Sequence, residues 1–171
     1  MSRRIIPEAY NRSRLLDFIN RYAGTTRISF CAVSTTTPTG QAINHNTPTT
    51  VQFDTATINI GSGYDTATDT FTAPYAGKYY FHANVLWQNI QSSIGYLSLG
   101  FSHNGTRRTV SFMNTPMDNN DEVTQSGGIM LDLSKEDTVV VFVKYFDSSE
   151  GTEHILGDGT NHYTQFIGYK L

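Results

Sequence analysis

His45, His82, His103, His154 and His162 are the side chains best suited to move protons or hold a metal in this chain of 171 residues. Their spacing matches no metal-ligand pattern, and no P-loop, His-Glu-x-x-His or Gly-x-Ser-x-Gly motif accompanies them. Gln125-Ser-Gly-Gly128 looks like a serine loop, but Ser126 lies in an alternating run and reads as structural. Glu153-His154 and His162 could approach one another across Gly157–Gly159, yet they read more simply as solvated loop positions. The expectation is a protein without catalysis.

Two polar clusters suit binding instead. In His103-Asn-Gly-Thr-Arg-Arg108, a tight hairpin places Arg107 and Arg108 beside His103 and Asn104. Guanidinium forks fit carboxylates, sulfates and phosphates, so an acidic glycan or other anionic surface polymer is the matching ligand. The competing reading is a charged turn that keeps the hairpin soluble. Asp118-Asn-Asn-Asp-Glu122 gathers hard oxygen donors, making Asp118, Asp121 and Glu122 candidate calcium ligands, against the default of a solvated acidic turn. The run lacks EF-hand spacing, and no cofactor is required. Asn11-Arg-Ser13 and Asn104-Gly-Thr106 fit the N-glycosylation sequon, which matters only in a secreted chain.

Composition constrains the scaffold that must position these groups. Charged residues make up 16% of the chain, against about 25% in an ordinary soluble domain. Twenty-three Thr, ten Tyr and ten Phe favour strands over a helical bundle, where Ala, Leu, Glu and Lys should dominate. Cys31 is the only cysteine, so no intrachain disulfide forms; within the apolar run Ile28–Val33 it reads as a small core residue rather than a reactive thiol. No apolar run is long enough to span a membrane, and the first residues contain no apolar stretch of signal-peptide length. The net charge of −3 is unevenly divided. Residues 1–27 hold six Arg against Glu8 and Asp17, a balance of +4, while residues 28–171 hold six basic and thirteen acidic groups, a balance of −7. An acidic domain disfavours nucleic acid as a partner.

Two segments follow, 1–26 and 27–171. Pro7 to Ala23 reads as one short basic amphipathic helix, starting near Pro7 and stopping at Gly24. It could dock on its own domain or a neighbouring subunit, form a short self-associating stalk, or meet an anionic surface. From Arg27 the period becomes two, with strands near Ile28–Thr35, Thr50–Asp54, Thr70–Thr72, Gly77–Ile90, Ile94–Asn104, Thr106–Asn114, Val123–Leu133, Thr138–Asp147 and Tyr163–Leu171. Nine or ten short strands with no later helix predict a sandwich or jelly roll. Tyr79, Phe81, Ala83, Val85 and Trp87 share one face; Tyr80, His82, Asn84 and Leu86 share the other. The last strand likewise sets Gln165, Ile167 and Tyr169 against Phe166, Gly168 and Lys170, with apolar groups on both faces.

One pattern is more specific than composition: Phe53, Asn59, Tyr64, Phe71, Gly77, Tyr79 and Phe81 at their particular spacing. It resembles the signature of the complement C1q-like globular domain, a branch of the tumour-necrosis-factor-like jelly-roll superfamily. The closing run Tyr163–Leu171 is similar to that family's last strand. The resemblance covers roughly residues 27–171; Ala83 departs from it where another aromatic is common. It implies an all-β, ten-stranded jelly-roll sandwich preceded by the short helix, and a homotrimer packed about a threefold axis. Several relatives hold calcium near the trimer apex, though no motif transfers their ligands here. The function expected is an extracellular, non-enzymatic recognition protein of lectin type, serving innate immunity and binding glycans through loops by avidity. With no collagen-like repeat, the namesake's bouquet assembly is not expected. A structural or assembly protein and a cytokine-like receptor ligand remain the alternatives.

Overall fold

The computed structural model describes residues 27–35, 40–90, 93–114, 121–148 and 152–171. The expected helix, Pro7 to Ala23, therefore lies outside the described residues. In chain order the strands are β1 (Ser29–Val33), β2 (Gln41–Asn44), β3 (Thr49–Thr50), β4 (Thr55–Ile60), β5 (Tyr64–Asp65), β6 (Thr70–Thr72), β7 (Gly77–Ile90), β8 (Ile94–His103), β9 (Thr106–Met113), β10 (Asp121–Leu133), β11 (Thr138–Asp147), β12 (Thr152–Leu156) and β13 (Gln165–Lys170). They form two antiparallel sheets. One runs β2-β12-β7-β13-β1-β4, with β10 on the opposite side of β7; the other runs β5-β6-β11-β8-β9, with β3 also on β11. This is the all-β sandwich expected from the alternation, and the jelly roll that the resemblance implies.

Period-two patterning explains the core. Tyr79, Phe81, Ala83, Val85 and Trp87 are all fully buried between the sheets, facing Leu97, Leu99 and Phe101 of β8 and Val139, Val141, Val143 and Tyr145 of β11. Phe166 packs edge-on against Phe30 at 4.7 Å and also meets Phe53, Tyr64, Phe81 and Phe101. Room for these rings comes from Gly168, where a Cβ would sit 2.5 Å from the Phe30 ring and 2.7 Å from that of Phe81.

The signature residues are structural. Asn59 clamps the turn after β4: its Nδ2 donates to the Tyr64 carbonyl (2.8 Å), and its Oδ1 accepts from the Tyr64 amide (3.2 Å). Gly61 takes φ +83° inside that turn, where a side chain would also meet Ile28. Tyr64 is thereby driven inward to stack on Phe30 at 4.9 Å. Burial, with the Asp69, Asp65 and Asp54 carboxylates nearby, pushes its phenol far above its ordinary range. The hydroxyl has no hydrogen-bond partner among the described residues. A buried unsatisfied hydroxyl costs about 1–3 kcal/mol, so Tyr64→Phe is expected to leave stability unchanged or raise the urea midpoint. A loss above about 1 kcal/mol in that titration would mean the hydroxyl is bonded.

Several strands escape the sequence pattern. β2 and β4 are edge strands whose outward residues are mixed in polarity, and Ile58 and Ile60 of β4 are solvent-facing. β12 is disguised because Glu153, a charged residue, occupies a buried inward position between His154 and Thr152. The expected strand at Thr50–Asp54 shrinks to Thr49–Thr50, because Val51 and Phe53 bury their side chains in a segment outside both ladders. Cys31 corrects another expectation. Phe30 and Ala32 take the inward positions, so Cys31 points outward, half-buried rather than in the core.

Candidate recognition and assembly surfaces

The outward face of the seven-stranded sheet is apolar over one half. Strand register aligns Ile60, Ser29, Tyr169, Tyr80 and Met130 in one row across five strands, and Ile58, Cys31, Ile167, His82 and Gly128 in the next. Exposure is 48% for Ile58, 53% for Ile60, 43% for Tyr169 and 60% for Met130. Tyr80 and Tyr169 pack ring to ring at 5.6 Å, and Gly128 leaves the space that the Tyr80 hydroxyl occupies. Polar positions bracket this zone, with Lys78 beside Asp132 at one end and Gln165, Asn84 and Ser126 aligned at the other. Ser126 is thus a solvent-facing residue of β10, opposite Asn84.

The arginine hairpin between β8 and β9 turns at Asn104 (φ 47°) and Gly105 (φ 82°). His103 and Asn104 are occupied there. Asn104 Nδ2 donates to Asp137 Oδ1 (2.8 Å), His103 Nε2 lies 3.1 Å from Asp137 Oδ2, and the Thr138 amide donates to Asn104 Oδ1 (2.8 Å). These bonds tie two turns together. Arg107 leans over the Phe142 ring at 5.8 Å, while Arg108 is exposed beside it. Of the four predicted ligand contacts, the two arginines retain the clearest donor capacity.

Asp137 is held below the usual carboxylate range, first by the Asn104 bond, then by the Ser134 amide and His103. A depressed folded pKa gives stabilisation that is present above the unfolded value, about 3.9, and lost as pH falls through the folded value. The amide resonances of Ser134 and Thr138 are therefore expected to hold steady down to the ordinary carboxylate range and to move below it. Asp137→Asn should abolish that acid transition; an unchanged transition in the variant would assign it elsewhere.

The proposed calcium ligands fare differently. Asp118 lies outside the described residues, Asp121 opens β10 opposite Ile90, and Glu122 is exposed next to it. Among the described residues no three His, Cys, Asp or Glu side chains are grouped to hold a metal. Asp158 serves its own loop: Oδ1 accepts from the amides of Thr160 (2.6 Å) and Asn161 (3.0 Å). Glu153 points into the core and His154 out of it, so neighbours in sequence lie on opposite faces of β12. His162 bonds the Gly159 carbonyl at 3.1 Å.

Sequence reasoning missed a column of rings on the outward face of the six-stranded sheet. Phe112 stacks on Tyr96 (5.1 Å, 27°), Tyr96 on Phe146 (5.9 Å, 14°), and Phe146 meets His45 at 5.1 Å. Lys144 Nζ lies 6.0 Å from the centre of the Tyr96 ring. Outward positions of a single strand do carry the signal, since Tyr96 alternates with the buried Leu97 and Phe146 with the buried Tyr145. Only the register of β9, β8 and β11 joins them.

A family model described as C1q domain matches residues 29–171. Among solved structures, the globular domain of zebrafish complement 1qA is similar over 85% of this chain and 97% of its own, at 19% identity and a TM-score of 0.56. Murine APRIL at pH 5.0 is similar over 85% of this chain and 99% of its own, at 15% identity and a TM-score of 0.58. At such identities both likenesses speak for the two-sheet fold. Among the described residues no helix is long and apolar enough to cross a membrane.

Proposed function

The chain belongs to the C1q domain family, and from that premise we propose that it acts outside the cell as a homotrimeric, non-catalytic recognition protein binding glycans or other anionic surface ligands. The observation that supports the trimer is the apolar zone of Ile58, Ile60, Tyr80, Met130, Ile167 and Tyr169 on one sheet face. Burying such side chains contributes about 1.5–3 kcal/mol each, and a polar margin around an apolar centre is ordinary interface anatomy. A cyclic trimer closes such contacts without leaving free ends. Three copies of a weak ligand site on one rigid base then bind a multivalent surface by avidity. Arg107 and Arg108 supply donors suited to anionic groups.

A second reading, a cytokine-like ligand for a protein receptor on the same trimer, draws on the similar fold of murine APRIL. Light scattering at micromolar concentration is expected to return the mass of three chains, and a monomer would overturn the assembly. A glycan array run with and without calcium tests recognition. Silence in both conditions would remove the glycan reading in favour of the receptor ligand, which pull-down from deglycosylated cell surfaces would then have to capture.

A further inference from the structure

The outward face of the six-stranded sheet is the side of the sandwich opposite the apolar zone, and its chemistry is different. Phe112 is 61% exposed and Phe146 39% exposed. Gly95 leaves the space into which the Phe146 ring lies; a Cβ there would stand 3.0 Å from that ring. Phe112 and Lys144 flank Ser98 in one cross-strand row, and both reach Tyr96 in the next. Further along the same face Arg107 covers Phe142. The outward positions of β8, β9 and β11 thus offer exposed ring surface and two cations, and no carboxylate. We propose that the column Phe112–Tyr96–Phe146, with Lys144 and Arg107, is a binding site for anionic saccharides.

Each feature narrows the occupant. A pyranose has an apolar C–H face that continues a stack of rings and a rim of hydroxyls that stays wet, which suits an open, shallow surface. An apolar small molecule instead needs a concave pocket that buries most of its surface. Lys144 beside Tyr96 disfavours quaternary ammonium ligands, which seek the same ring electrons. It attracts a carboxylate or sulfate. A stable protein partner needs about 800 Å² on each side, more than three part-exposed rings of about 150–250 Å² each provide. Single-stranded nucleic acid also combines stacking with phosphate charge, but the acidic balance of the domain works against it.

The inference rests on the recognition reading and relocates its contacts from the hairpin tip to the sheet face. The test uses the full chain, titrated with an oligogalacturonate, with a neutral cello-oligosaccharide and with oligo-dT, by calorimetry and amide NMR. Binding of the galacturonate is expected, with resonance shifts at Tyr96, Lys144 and Phe146 and about tenfold weaker affinity in Phe112→Ala and in Lys144→Ala, a factor equal to about 1.4 kcal/mol. Lys135→Ala, which removes an exposed cation in the turn between β10 and β11, should bind as the parent does. Unchanged affinity in both site variants would overturn this site while leaving glycan recognition standing. No saccharide binding at all, here or on the array, would overturn both. Tighter binding of oligo-dT would reassign the face to nucleic acid, and a changed mass of Phe112→Ala in light scattering would reassign it to self-association; either overturns the proposal.

Discussion

Tyr80→Glu is expected to turn the proposed three-chain particle into a single folded chain. Tyr80 sits in the outward row between Tyr169, on which it packs at 5.6 Å, and Met130. In the proposed trimer a carboxylate there is carried into an apolar seam; Lys78 lies one row away, opposite Asp132 in the ladder. An unpaired buried charge costs about 3–5 kcal/mol, a factor of roughly 10²–10⁴ in association, and cyclic symmetry repeats the cost at three seams. In the isolated chain the same residue is half-buried on a sheet surface, so water can reach the carboxylate and the fold should persist. Tyr80→Phe keeps the ring and should keep the mass. The measurement is light scattering at matched concentration, with circular dichroism as the check on folding. A Tyr80→Glu chain that remains trimeric would show that subunits meet elsewhere.

The second large effect concerns the interior. Phe166 of β13 is fully buried and touches rings from both sheets, including Phe81 of β7 and Phe101 of β8. Phe166→Ala removes the element that couples them and leaves a cavity. Substitutions of this type cost about 3–5 kcal/mol, a large share of the roughly 5–15 kcal/mol that holds a domain together. For a chain of this length about 2–4 °C is lost per kcal/mol, so the melting midpoint should fall by about 6–20 °C. Assembly makes apparent stability depend on concentration, so parent and variant must be compared at the same one. Phe166→Leu keeps most of the volume and should lose less than half as much. A loss under about 1 kcal/mol for the alanine variant would contradict the packing described.

The first expectation draws on a residue whose placement is legible in the chain, whereas the inward turn of Phe166 is seen only in the fold. Alternation in Gly77–Trp87 separates Tyr79, Phe81 and Trp87 from Tyr80 and His82 without any coordinates, because successive side chains of a strand must point to opposite faces. The spacing of Asn59 and Tyr64 likewise encodes a local clamp, closed by two hydrogen bonds five residues apart. Glu153 and Cys31 mislead for a shared reason. Polarity stands in for direction only where the two agree, and β12 buries a carboxylate while β1 turns a small thiol outward. His103 and Asn104, read as candidate ligand contacts, also carry a structural task that the sequence does not show. Their partner Asp137 lies more than thirty residues away, and only folding shows that these groups are engaged.

Local order, then, was set by the chain itself: the two-residue period and the turn glycines specify strands and turns, since each depends on neighbours close in sequence, and the ring-and-glycine spacing carries the resemblance to the C1q family that the match over residues 29–171 bears out. The surfaces were decided by tertiary pairing alone. Tyr96, Phe112 and Phe146 form one column, and Ile60, Tyr169, Tyr80 and Met130 one row, because hydrogen-bonded register brings distant segments side by side. Sequence spacing carries no direct record of that long-range register.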